Sequence, residues 1–365
     1  MCMETFEKGV ENFKPSRTQD QILADIRTLK HNLSHEMILL AHHYQQDEII
    51  ALADVVGDSL KLAQKAAKIR NKKYIVFAGV HFMAESADIL TPSDRVVLLP
   101  EPKAGCPLAE MADITEVESV WRALKNQVKG KIIPVTYINS TAVIKAFVGR
   151  NGGTVCTSGN AGKIFDWAFE QGDKILFLPD RYLGENTALA KGIPPELIYH
   201  LKGDMLNPVF QEDIHTAKVL LWDGYCSVHR RFRPEDVTNI RKKHPGVRVI
   251  VHPECSHDVV AKADDSGSTE KILHQVEQSK AGSVWAVGTE AHMVNRLQEM
   301  FPDKTILQLK NPGYQCVTMS MTTPEKLHHV LSELSKGHVI HQVKVKQDIA
   351  RDAYTALNKM LDITG

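Results

Sequence analysis

Met37-Ile38-Leu39-Leu40-Ala41-His42 reads as a short strand that runs into a polar loop. Its apolar residues do not alternate with polar ones, so it is expected to be covered on both faces, as in a parallel sheet. Val249-Ile250-Val251-His252 reads the same way, and its histidine follows His42 by 210 residues (252 − 42). A second strand, Tyr74 to Ala78 ending at Gly79, has a counterpart at Ser283 to Val287 ending at Gly288, with an offset of 209 (288 − 79). A third strand, Arg95 to Leu99, lies between Pro92 and Pro102. Its counterpart, Thr305 to Leu309, lies between Pro302 and Pro312, again 210 further on (302 − 92). Beyond the second proline of each pair stands a cysteine, Cys106 and Cys316.

A third copy lies between these two. Its strands are Ile132 to Tyr137, Lys174 to Leu178 ending at Pro179, and Val219 to Trp222, with Cys226 following. From the end of the first strand to the cysteine, the outer copies take 64 residues (106 − 42) and the middle copy 89 (226 − 137). The excess is assigned to a surface insertion at Ala190 to His215, which carries Pro194, Pro195 and Pro208. Helical stretches at Ser59 to Ile69, Ile164 to Phe169 and Ile272 to Val276 fill the matching gaps. Each copy is therefore strand–helix–strand–helix–strand, a small parallel sheet under helices. The copies are too long for solenoid repeats.

The expected fold is α/β: three similar three-layer αβα domains with small parallel sheets, around a pseudo-threefold axis. The domains are placed at 31–112, 113–230 (with the insertion about 190–215) and 231–320. A polar extension and helix precede them at 1–30. C-terminal helices at 321–365, with no strand of their own, are expected to pack on domain 1. Ligands in such sheets lie beyond the carboxyl ends of the strands, so the three cysteines are expected to meet at one point.

Composition sets further bounds. The 365 residues are 43% hydrophobic and 24% charged, as in ordinary globular chains. Lys plus Arg equals Asp plus Glu at 44 each, which gives no electrostatic case for a nucleic-acid or membrane partner. No apolar run approaches membrane-spanning length, and Met1-Cys2-Met3-Glu4-Thr5 lacks the features of an export signal. The expected compartment is the cytoplasm, where six cysteines without a C-x-x-C pair are read as core residues, metal ligands or catalytic thiols.

Three thiolates, one per copy, suit a soft metal centre. A cubane cluster held by three cysteines leaves one iron without a protein ligand, a Lewis acid for a substrate oxygen. The competing reading makes Cys106, Cys226 and Cys316 small buried core residues. Cys156 and Cys255, which follow first strands, fall outside this series, and Cys2 is read as incidental. Polar residues gather where first strands end: His42-His43-Tyr44-Gln45, Tyr137-Ile138-Asn139-Ser140 and His252-Pro253-Glu254-Cys255. They offer acid–base groups near the metal. The helix starts Asp58-Ser59, Thr157-Ser158-Gly159-Asn160 and Asp265-Ser266-Gly267-Ser268-Thr269 are capping sequences that also suit anions. Neither a Walker loop nor a dinucleotide fingerprint occurs.

These segments, with Gly288-Thr289-Glu290 and the cysteine contexts Gly105-Cys106-Pro107, Gly224-Tyr225-Cys226-Ser227-Val228-His229 and Gly313-Tyr314-Gln315-Cys316, resemble those of the quinolinate synthase family, in order, over about residues 37 to 330. The resemblance implies a [4Fe–4S] cluster on Cys106, Cys226 and Cys316. It implies condensation of iminoaspartate with dihydroxyacetone phosphate to quinolinate, phosphate and water in de novo NAD synthesis, with L-aspartate oxidase supplying the iminoaspartate. It implies that His42 and Tyr44 contact substrate and move protons, and that Glu254 is an acid–base residue. Tyr137, Asn139 and His252 would orient carboxylates. Ser59, Ser158, Ser268 and Thr269 would hold phosphate or carboxylate oxygens. Some relatives carry a C-x-x-C-x-x-C run around the third ligand, whereas Cys316 stands alone. The rival readings are another three-cysteine cluster enzyme of threefold α/β architecture, an iron–sulfur sensor, and a cluster-free binding protein.

Overall fold

Residues buried on both sides of a sheet can be apolar throughout, and the central strands follow that rule. The computed structural model describes residues 18–364; Cys2 and most of the N-terminal polar extension lie outside them. The first sheet is built from β1 (Met37–His42), β2 (Val55–Gly57), β3 (Tyr74–Ala78) and β4 (Val96–Leu98). The second has β5 (Ile132–Tyr137), β6 (Thr154–Cys156), β7 (Lys174–Leu178), β8 (Ile198–His200) and β9 (Val219–Leu221). The third has β10 (Arg248–Val251), β11 (Asp265–Ser266), β12 (Val284–Gly288) and β13 (Thr305–Gln308). Every residue of β3, β5 and β7 is buried. Helices cover the sheets, which makes three αβα layers of the expected kind.

Each sheet carries a short edge strand beyond the three expected. The orders are β2-β1-β3-β4, β6-β5-β7-β9 and β11-β10-β12-β13, all parallel. The extra members, β2, β6 and β11, are two or three residues long, too short to leave a periodic signal. The chain moves to one side after the first strand and to the other side after the next central strand. The loops leaving those neighbours therefore diverge, and a crevice opens between them at their carboxyl ends.

Hydrogen bonds repeat along with the strands. Asp54 accepts the Leu39 N–H at 2.7 Å, and Asp264 accepts the Val249 N–H at 2.6 Å, one offset later. Each carboxylate satisfies a backbone donor at the start of a central strand's edge pairing.

Two expectations about the middle and the end of the chain are corrected. The stretch 190–215 is not wholly a surface insertion: β8 joins the second sheet beside β9, and Leu201 and Ile214 are buried. The C-terminal region does have a strand, β14 (Gln342–Val343), antiparallel to β4 through Gln342↔Leu98 and Val343↔Val97. Buried Asp88 fixes the next two residues, accepting from Lys344 at 3.0 Å and from the Val345 N–H at 2.9 Å. The C-terminal helices also divide. Pro324–Ser335 packs on the helix Gln19–Leu33, but Gln347–Thr364 packs chiefly on Ala142–Arg150 and β6 of the second sheet, as well as on His81–Leu90. Gly149 is the physical reason: a Cβ there would lie 2.0 Å from the Asp352 carbonyl oxygen, so only glycine lets the two helices touch backbone to backbone. Thr154 bonds to the Ala356 carbonyl at 3.2 Å and seals the same seam.

Candidate active site

One cavity, with about 640 Å³ of free space, collects the carboxyl ends of strands from all three sheets. His42 ends β1 and Tyr44 follows it; Tyr137 ends β5 and Asn139 follows it; His252 and Glu254 follow β10. All six line the cavity. So do Ser59, the first residue of the helix Ser59–Lys68, Ser158 in the turn after β6, and Thr269, the first residue of Thr269–Gln278. Cys106, Cys226 and Cys316 complete the wall. Ser268 is the exception among the expected residues. It is buried behind the wall, where it caps its own helix through the Lys271 N–H at 3.4 Å and bonds to Asp58. Cys156 is the last residue of β6 rather than a follower of a first strand. Both Cys156 and Cys255 are fully buried away from the cavity.

The two histidines are held alike. His42 Nδ1 accepts the Tyr44 N–H at 3.2 Å, and His252 Nδ1 accepts the Glu254 N–H at 3.4 Å. In a neutral ring that leaves the proton on Nε2. Burial, with His43 and His252 adding to it, pushes the His42 pKa down to about 3. Burial does the same for His252, also to about 3. Both are thus neutral hydrogen-bonding rings near pH 7.

Glu254 is the ionised counterpart. Burial alone would raise its pKa, but His252 and His229, with hydrogen bonds from His229 and Tyr137, hold it well below the usual carboxylate range. His229 Nδ1 lies 2.7 Å from Glu254 Oε2 and 3.2 Å from the Cys226 sulfur. The His229 ring stacks on His252 with centroids 4.4 Å apart. Its Nε2 lies 3.1 Å from the Thr289 hydroxyl, which lies 2.7 Å from the Tyr44 hydroxyl. Burial and the Glu254 charge raise the Tyr44 and Tyr137 pKa values well above the phenol norm, so both remain proton donors. Tyr44, Thr289, His229 and Glu254 therefore form a continuous hydrogen-bonded row that joins two residues of the cavity wall, Tyr44 and Glu254.

His229 and Thr289 had no role assigned from sequence. The Cys226-x-x-His229 spacing, one helical turn, is the signal that points to His229. Thr318 lines the cavity and had no role assigned, and Asp58 and Thr157, read as parts of helix-capping segments, line it too. Two buried polar atoms in the cavity residues, Asn139 Oδ1 and Thr269 Oγ1, find no hydrogen-bond partner among the described residues. Buried polar groups ordinarily have partners, so these are ready-made contacts for a polar ligand.

The sulfurs share a small space. Burial raises the Cys106 thiol to about 12, the backbone N–H groups of Ala109 and Leu108 oppose this, and the Cys316 sulfur adds to the rise. Burial raises Cys226 well above the thiol norm, with Cys316 and Cys106 contributing. Burial raises Cys316, opposed by the Met319 N–H and the Thr318 hydroxyl. Three buried thiols that oppose one another's ionisation need a cation to become thiolates together, and sulfur donors suit soft metals. Cys226, His229 and Glu254 also form a possible ligand group, with donor atoms within 4.8 Å of one another.

Comparison with known proteins shows the family. A family model described as quinolinate synthetase A protein matches residues 24–362. The quinolinate synthase of Listeria monocytogenes serovar 1/2a is 46% identical over 352 residues, covering 95% of each chain. That of Acidobacterium capsulatum is 47% identical over 356 residues, covering 96% of this chain and 94% of its own. That of Halalkalibacterium halodurans is 45% identical over 345 residues, covering 94% of each.

Proposed function

The chain belongs to the quinolinate synthase family, and from that premise we propose that it condenses iminoaspartate with dihydroxyacetone phosphate, giving quinolinate, phosphate and water in de novo NAD synthesis. The observation that carries the reading is one cavity lined by a single cysteine from each of three related sheets, with unpartnered polar atoms beside them. In this reading Cys106, Cys226 and Cys316 hold a [4Fe–4S] cluster. When bound, the cluster supplies an iron without a protein ligand, a Lewis acid for a substrate oxygen. The pseudo-threefold arrangement of domains 31–112, 113–230 and 231–320 belongs to the same reading. So do a cytoplasmic location and an L-aspartate oxidase as source of iminoaspartate. No helix among the described residues is long and apolar enough to cross a membrane.

The protein's own groups divide the work. Ser59, Ser158 and Thr269, at or beside helix starts, bind phosphate or carboxylate oxygens, where backbone N–H groups and the helix dipole favour negative charge. Asn139 and the neutral His42 and His252 orient the substrate carboxylates without adding charge. Glu254 accepts a proton from substrate carbon or nitrogen, and His229 beside it shares the load. Tyr44 and Tyr137 donate protons to departing oxygens, and the Thr289 hydroxyl links Tyr44 to His229 for reprotonation.

An anaerobic assay tests this. Cys106→Ala, Cys226→Ala and Cys316→Ala lose both iron and quinolinate formation, whereas Cys156→Ala and Cys255→Ala keep both. Loss of iron in the second pair, or its retention in the first three, contradicts the assignment. The Cys226–His229–Glu254 group supports a second reading, a single metal ion, which differs in containing no inorganic sulfide.

A further inference from the structure

The three cysteine loops are tied down by one repeated contact, but only one of them has a side chain that also accepts the cysteine's own N–H. The first residue of the helix after each second central strand donates its N–H to the carbonyl two residues before the cysteine. The pairs are His81 to Ala104 at 2.8 Å, Arg181 to Gly224 at 2.9 Å and Ala291 to Tyr314 at 2.9 Å. The residue just before that donor is Val80, Asp180 or Glu290, at the helix N-cap each time. Val80 offers no side-chain acceptor. Asp180 and Glu290 are carboxylates with no exposed surface.

Glu290 does two things at once. One oxygen caps its helix, accepting from the His292 N–H at 2.8 Å and the Met293 N–H at 3.4 Å. The other accepts the Cys316 N–H at 3.2 Å and lies 2.9 Å from His292 Nδ1. Asp180 caps its helix through the Leu183 N–H at 2.8 Å. Its carboxyl is raised by burial and by Glu254, and its second oxygen has no hydrogen-bond partner among the described residues. Gly224 adds to this tie, since a Cβ there would lie 2.4 Å from the Pro179 carbonyl oxygen. The Cys316 loop needs such a hold most. Val317, the next residue, is 77% exposed, so packing does little to fix it.

We propose that Glu290 is a positioning residue that presets the Cys316 loop by binding the cysteine's own backbone N–H. This rests on the reading of Cys106, Cys226 and Cys316 as cluster ligands. A buried carboxylate close to thiolates is electrostatically unfavourable for their ionisation, so its place there is accounted for by geometry: it fixes the loop before the metal arrives. Partners that orient ligands in this way typically change metal affinity without touching the metal.

The test uses full-length chain reconstituted anaerobically with iron and sulfide: wild type, Glu290→Ala and Glu290→Gln. Iron and sulfide content, the decay of the cluster's visible absorbance in air, and circular dichroism are measured on each. Glu290→Ala is expected to lose the cluster about tenfold faster than wild type. Glu290→Gln keeps one acceptor oxygen and replaces the other by an NH2 donor; with the oxygen toward the Cys316 N–H it is expected to restore retention in part, which a general loss of fold or of charge would not do. Equal decay in Glu290→Ala and wild type overturns the proposal while leaving the three-cysteine reading intact. So does decay in Glu290→Gln as fast as in Glu290→Ala. A wild-type chain that takes up neither iron nor sulfide overturns both.

Discussion

The first and third sheets are twins in their backbone and strangers in their chemistry. His42 and His252 accept the N–H two residues on through the same ring nitrogen. Asp54 and Asp264 each brace a central strand, and Cys106 and Cys316 reach the same cavity. Yet the residue whose N–H those histidines accept is a phenol in one copy, Tyr44, and a carboxylate in the other, Glu254. The scaffold was kept, and the side chain it presents to the cavity was exchanged. Hydrogen bonds that position a loop are thus separable from the group the loop presents, and the twins can be tested against each other.

The largest difference should come from the exchanged pair. Glu254→Gln keeps the shape but loses the proton acceptor, and quinolinate formation should fall about a hundredfold or more with iron content unchanged. Tyr44→Phe removes one donor, the hydroxyl 2.7 Å from Thr289, and should cost about tenfold. Equal losses from the two would erase the proposed division of roles.

The shared scaffold should respond alike. Asp54→Ala and Asp264→Ala each orphan a backbone N–H at a central strand, and each should lower stability by about 1–2 kcal/mol in denaturant titration. A marked inequality would mean that the twin carboxylates carry different loads. The smallest effect concerns the seam between the two copies. Glu270 bonds to His43 and Lys61, both at 3.0 Å. Burial would raise its pKa, but these partners bring it down to about 2. A depressed carboxylate stabilises above its unfolded pKa and loses that contribution as pH falls through the folded value. Melting of the metal-free protein should therefore separate wild type from Glu270→Gln most clearly above about pH 4.5, and the gap should close toward pH 2. A gap that stays constant with pH would assign the contribution to packing.

Much of this was legible because the repeat survives in the residues under strongest geometric constraint: the apolar central strands, the prolines flanking β4 and β13, and the three cysteines. The edge strands β2, β6 and β11 were not legible, because two or three residues carry no period. β14 was missed for the same reason. The seat of the last helix depends on Gly149, and a glycine inside a helix announces close approach without saying to what. Within the site, the strand-end residues were found from their matching positions. His229, Thr289 and Glu290 lie in motif segments of the sequence, yet their roles depend on partners 25 to 245 residues away in the chain. Ser268 differs from its neighbour Thr269: it caps the helix through the Lys271 N–H, and it is not among the residues that line the cavity.

The proposed chemistry depends on the three sulfurs holding one group in common, and metal analysis of the anaerobically prepared wild-type chain addresses that directly. It should yield about four iron and four acid-labile sulfide per chain, as a single cubane requires. One metal ion with no sulfide would place the centre on Cys226, His229 and Glu254 and contradict the shared cluster.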